Sequence, residues 1–181
     1  MKDQHPCICV IDDSQMTTTI YKYLFYQFFN DPIVSVFNHP WDVDIRDFSM
    51  CDLLMIDEIM DDMSGTEFIK DLLVHRYHGR YHEFPNVIFA STLQTGDLHE
   101  RIKAIGIDLL IPAYRVLQKP LNPEHLKKTI LSICPNMEHC IVKSALAPNP
   151  ELPWSISIQI SAMEIFGIKG GNDLKNCMIS V

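Results

Sequence analysis

Cys7-Ile8-Cys9-Val10-Ile11-Asp12-Asp13-Ser14 is a short apolar run cut off by two carboxylates and a hydroxyl. An uninterrupted run of that length reads as a strand buried on both faces, the kind found in parallel sheets. Ser14 is placed to cap the element that follows. From Gln15 to Phe29, the residues Met16, Ile20, Tyr23, Leu24 and Phe28 recur at helical spacing, and Asn30-Asp31-Pro32 stops the helix.

The same alternation repeats outward from this unit. Ile33 to Phe37 reads as a second strand, and Asn38 to Met50 as a weak helix with a Pro break near its start. Asp52-Leu53-Leu54-Met55-Ile56-Asp57 is a third strand that also ends in a carboxylate. Met63-Ser64-Gly65 is a turn, and Thr66 to His75 a helix with Phe68, Ile69, Leu72 and Leu73 inward. Val87 to Ala90 is a fourth strand, followed by Ser91-Thr92. Asp97 to Ile105 is a helix capped by Gly106, and Arg115 to Gln118 a fifth strand. Asn122 caps a last helix with Pro123 in its first turn and Leu126, Ile130, Leu131 and Ile133 as its buried stripe. Alternating strands and helices predict an α/β fold, a doubly wound five-stranded parallel sheet with helices on both faces. Ligands in such folds collect at the carboxyl ends of the strands. Asp12, Asp13, Asp57, Ser91 and Lys119 all fall there.

Composition limits what such a site serves. The 181 residues are 47% hydrophobic and 21% charged, which supports a packed core and excludes wholesale disorder. With 15 Lys+Arg against 23 Asp+Glu the net charge is −8, a poor balance for direct nucleic-acid binding. No apolar run reaches the ~18–20 residues of a membrane span. The start, Met1-Lys2-Asp3-Gln4-His5, is unlike a signal peptide, and Cys7, Cys9, Cys51, Cys134, Cys140 and Cys177 contain no CxxC pair. These features fit reduced thiols in a cytoplasmic protein.

Carboxylates gathered at neighbouring strand ends repel one another, by about 4 kcal/mol for a pair ~4 Å apart at an effective dielectric of ~20. A cation, a lysine or a proton must share their site. Mg²⁺ suits it, because it takes hard oxygen ligands, few of them carboxylates. Asp13 and Asp57 offer two oxygens, a backbone carbonyl a third, and Asp12 acts through a water. A carboxylate beside such an ion can attack phosphorus. Ser91 can donate to a phosphoryl oxygen, and Lys119 can pair with another.

Asp12-Asp13, Asp57, Ser91-Thr92 and Lys119-Pro120, in this order and each at a strand end, resemble the receiver domain of two-component response regulators. Met60, Met63, Gly65 and Glu67 follow Asp57 as in that family's D-x-x-M-P-x-M-D-G-x-E loop, and the likeness spans residues 6 to 134. The resemblance implies a flavodoxin-like sheet of order 2-1-3-4-5. It implies Asp57 as phosphoacceptor, and Asp12, Asp13, Asp57 and the carbonyl of Ile59 as Mg²⁺ ligands. Ser91 and Lys119 would bind the phosphoryl group, with a cis bond at Pro120. The partner it implies is a sensor histidine kinase or phosphotransfer protein, and the chain would be a switch, with at most slow autophosphorylation and autodephosphorylation, rather than an enzyme. A phosphohydrolase using Asp57 would need an acid two residues on, where Ile59 stands.

Several residues depart from the family pattern. Asp61 replaces the loop proline, and Glu58 and Asp62 make the loop more acidic. Val116 stands where the family often has a switch aromatic, leaving Tyr114, two residues earlier, as the candidate. The span from Ser91 to Lys119 is longer than usual by about six residues near Leu109–Tyr114, which suggests a modified contact surface. His75, His78 and His82 read as a cationic helix end, since no further ligand completes a metal set.

The sequence thus divides into a receiver domain over 1–134, a Pro-rich linker over 135–153 and a C-terminal extension over 154–181. Trp154 to Ser161 alternates like a half-buried strand, which favours a dimerisation element or the start of an output domain. The expectation is a phosphorelay receiver whose modification shifts homodimer or partner contacts. The alternative is a pseudo-receiver, a phosphorylation-independent interaction or dimerisation module.

Overall fold

A computed structural model describes residues 5–43, 51–76 and 84–142, with residues 75 and 76 for backbone only. The chain divides into two units, Met1–Lys143 and Ser144–Val181, and all described residues belong to the first. The strand proposed over 154–161, Cys177, His78 and His82 therefore lie outside the described residues, as does the side chain of His75.

Five strands, β1 (Cys7–Ile11), β2 (Ile33–Phe37), β3 (Leu53–Asp57), β4 (Asn86–Ser91) and β5 (Tyr114–Gln118), form one parallel sheet in the order β2-β1-β3-β4-β5. Among the described residues, α1 (Gln15–Phe28), α2 (Gly65–Asp71) and α3 (Thr95–Ile105) connect strands, and α4 (Pro123–Ile133) follows β5. This is the predicted doubly wound fold. β3 is buried at all five positions and β4 at all but its first residue, which is why both read as continuous apolar runs. β2 lies at the edge and is only partly covered.

Register sets where the strands end. Ile11 pairs with Ile56, Asp57 with Ala90, and Ser91 with Gln118. The residues immediately beyond these pairs therefore share one rim.

Local chemistry fixes the helix ends. Ser14 caps α1, its Oγ accepting from Thr17 N at 3.3 Å. Asn122 caps α4 through His125 N at 3.0 Å. Ser64 and Glu67 close a full capping box on α2. Gly106 ends α3 in the left-handed region at φ 76°.

The structure corrects several details. The buried face of α1 is Thr18, Tyr21, Leu24, Phe25 and Phe28, while Met16, Ile20 and Tyr23 are half-buried. So many of its residues are apolar that periodicity alone does not choose a face. Thr18 turns inward because its Oγ1 bonds Gln15 O at 3.0 Å and receives Asn38 Nδ2 at 3.4 Å. In α4, Thr129 is buried and Leu131 half-buried. α2 is shorter than expected and runs into a π-helical turn, Leu72–Arg76. Of the weak helix expected over 38–50, the described part holds only a 3₁₀ turn, Pro40–Asp42.

The first unit continues beyond α4. A 3₁₀ segment, Pro135–Cys140, buries Met137 and Cys140, and the chain then bridges Ile141 to Phe29. Asn30 N donates to Cys140 O at 2.7 Å and Val142 N to Phe28 O at 3.1 Å. The longer β4–β5 connection forms a 3₁₀ turn, Ile107–Leu109, that buries Ile107 and Ile111 and leaves Leu109 84% exposed.

Candidate functional site

The rim defined by β1, β3, β4 and β5 brings the sequence-predicted groups together. Carboxylate oxygens of Asp12, Asp13 and Asp57 all lie within 4.8 Å of one another. Asp12 follows β1, with its side chain 2% exposed. Its Oδ1 accepts from Ser14 N at 3.0 Å and its Oδ2 from Lys119 Nζ at 2.8 Å. Asp13 is the most exposed of the three and accepts from Asp61 N at 3.1 Å. Asp57, the last residue of β3, accepts from Ile59 N at 3.2 Å and from Lys119 Nζ.

Lys119 reaches both acids because it stands just past β5, where its N–H donates to Ser91 O at 2.7 Å. The bond from Lys119 to Pro120 is cis. Ser91 is fully buried, and its Oγ accepts from Leu93 N at 3.0 Å. That leaves the hydroxyl proton uncommitted among the described residues.

The Lys119 ammonium is bonded to two of the three clustered carboxylates, and the electrostatics reflect it. Burial pushes the pKa of Asp12 up, and the hydrogen bond and charge of Lys119 only partly offset this. Burial pulls Lys119 down, but its bonds to Asp12 and Asp57 outweigh that and hold the ammonium above its usual range. Burial, with the charges of Asp12 and Asp57 behind it, also pushes the Tyr21 phenol up. An oxygen-only donor set with uncompensated negative charge fits a hard divalent ion such as Mg²⁺ and not a thiophilic one. The oxygens that converge there are those of Asp12, Asp13 and Asp57.

Two residues of the loop are placed differently from expectation. Glu58 does not add to the open acidic surface: its side chain is 0% exposed and bonded to Thr66 and Arg101. The period-two alternation of a strand, continued one residue past Asp57, would have turned Glu58 to the opposite face. Asp62 pairs with His39 at 3.4 Å. Gly65 is where it is because a Cβ there would collide with the backbone carbonyl of Asp57.

Tyr114 does not converge with the rim. It pairs with Val87 at the far end of β5, packs edge-on against Phe89, and lies 3.4 Å from His99 on α3. Val116 is a buried aliphatic.

No family model matches the sequence, and no curated protein does. Solved structures do. The signal receiver domain of a DNA-binding response regulator from Colwellia psychrerythraea 34H is 23% identical over 70% of this chain and 96% of its own, with a TM-score of 0.56. The chemotaxis protein CheY4 of Vibrio cholerae is 20% identical over 71% of this chain and 98% of its own, at 0.55. The BeF3-activated DrrB receiver domain is 20% identical over 71% and 97%, at 0.53. The fold is that of CheY-like receiver domains.

Proposed function

We propose that this chain is a phosphoacceptor receiver of a two-component system. Asp57 would accept a phosphoryl group from the phosphohistidine of a sensor kinase or phosphotransfer protein. The observation that supports it best is the convergence of Asp12, Asp13 and Asp57 within 4.8 Å of one another, with the Lys119 ammonium bonded to Asp12 and Asp57.

A carboxylate oxygen of Asp57 attacks phosphorus, the donor's P–N bond breaks with its electron pair returning to nitrogen, and the ring, already protonated on its other nitrogen, leaves as neutral imidazole. Asp12, Asp13, Asp57 and the Ile59 carbonyl would hold Mg²⁺, whose charge would offset that of the phosphoryl oxygens. Ser91 donates its hydroxyl to one of those oxygens. Lys119, released from Asp57, pairs with another. The chain turns over no substrate of its own beyond slow loss of that group. The modified state shifts a pre-existing equilibrium in homodimer or partner contacts.

Incubation with acetyl phosphate and Mg²⁺, followed by intact mass measurement, tests this reading. The expected result is the gain of one phosphoryl group in the wild type and none in Asp57→Asn. No gain in the wild type, or equal gain in the variant, overturns it. A phosphorylation-independent interaction module is the second reading, favoured by Val116 in place of a rim aromatic. It requires an oligomeric state that ignores phosphoryl analogues.

A further inference from the structure

Glu58 stands between the proposed phosphoacceptor and the proposed carbonyl ligand, sharing a peptide bond with each. Its side chain points away from both, into the layer under α2 and α3. Its two oxygens take three donors: Thr66 N at 2.9 Å, Thr66 Oγ1 at 2.9 Å and Arg101 Nη1 at 3.0 Å. Thr66 lies in the first turn of α2, and Arg101 lies on α3. The backbone adds two further ties, Glu58 N to Ala90 O of β4 at 3.0 Å and Gly65 N to Glu58 O at 3.1 Å. One residue therefore joins β3, β4, α2 and α3.

Besides this pair, α3 is held by Leu98 and Ile102 in the core and by His99 against Tyr114. Of its 11 residues only Leu98 and Ile102 are buried, and Gln94 gives it no side-chain cap. A carboxylate with no solvent around it depends on its partners, so α3 cannot move away from Glu58 without leaving that charge unpaired. Arg101 is 45% exposed and loses much less by separation. The pair is thus asymmetric: the buried end sets the position of the mobile one. Val116 is aliphatic, and Tyr114 lies at the other end of β5, away from the rim.

We infer that Glu58 and Arg101 are positioning residues, and that their ion pair passes the state of Asp57 to α3. Rearrangement of the loop after Asp57 around a phosphoryl group moves Glu58, and α3 follows through Arg101. This rests on the phosphoacceptor reading but is tested separately from it.

The test uses the full chain and hydrogen–deuterium exchange over residues 95–105, with and without beryllofluoride and Mg²⁺. Glu58→Gln keeps the size and an acceptor for Thr66. Arg101→Met removes the cation while Thr66 still gives Glu58 two donors, and its melting curve checks that the fold persists. In both, the beryllofluoride-induced change over α3 is expected to shrink at least about fivefold, the low end of ordinary site-to-site coupling. Arg101→Lys restores part of it. Phosphoryl uptake at Asp57 persists in all three, whereas a merely structural defect alters exchange equally with and without the analogue. An α3 response of wild-type size in either variant, or no α3 response in the phosphorylated wild type, overturns the inference and leaves the phosphoacceptor reading standing. Failure of the wild type to take up phosphoryl mass overturns that reading instead.

Discussion

Asp12 sits just past β1 with its carboxylate almost wholly desolvated, and burial raises its pKa despite Lys119. The sign of the consequence follows from linkage. For an acid whose folded pKa is raised, the stability it contributes is complete below the ordinary carboxylate value of 3.8 and is lost as pH rises through the folded value. At neutral pH the ionised Asp12 is therefore a cost to the fold, which a divalent cation at the pocket relieves. A cation also competes with the proton Asp12 retains at lower pH. Mg²⁺ should accordingly raise the thermal midpoint more at neutral pH than near the ordinary carboxylate value of 3.8, below which Asp12 holds its proton. Melting curves with and without Mg²⁺ at both values check this, and equal shifts would count against it.

At the scale of elements, the loop from Glu58 to Gly65 joins the pocket to the core. Gly65 approaches the Asp57 carbonyl so closely that a side chain there must displace either α2 or the end of β3. Gly65→Ala should cost about 1–3 kcal/mol, as overpacking does, and slow phosphorylation of Asp57 as well. Gly106→Ala is the control. Its φ of 76° disfavours alanine but nothing lies within 4 Å, so it should cost about 1 kcal/mol and leave phosphorylation unchanged. Urea titration and mass gain with acetyl phosphate read the two effects separately.

What the sequence made legible at this scale follows the same physics. β1, β3 and β4 were readable because double-sided burial demands unbroken apolar runs. Asp12, Asp57, Ser91 and Lys119 were readable because strand ends concentrate chemistry. The face of α1 was not, because nearly every turn offers apolar residues to both sides. Glu58 looked like surface charge because its partners, Thr66 and Arg101, are 8 and 43 residues away, and only the packing of α2 and α3 brings them together.

For the whole molecule, alternation of strands and helices predicts a parallel sheet but not its order. The order 2-1-3-4-5 came from the resemblance, and the structure has it. The end of the first unit is a different matter. The motif ends with α4, yet the segment Pro135–Cys140 buries Met137 to 1% exposure and Cys140 to 9%, and Ile141 and Val142 tie back to the end of α1. Asn136 Nδ2 also donates to Asp52 Oδ1 at 3.2 Å, so this segment sits against the amino-terminal end of β3. Burying one methionine side chain contributes about 1.5–3 kcal/mol, and each hydrogen bond about 1 kcal/mol more. A chain of residues 1–134 should therefore unfold at clearly lower urea than one of residues 1–143, by several kcal/mol in free energy. The acidic rim is at the opposite end of the sheet, so the shorter chain, while folded, should still accept a phosphoryl group on Asp57. Denaturation midpoints and intact mass on the two lengths decide it: equal midpoints would place the end of the folding unit at α4 instead.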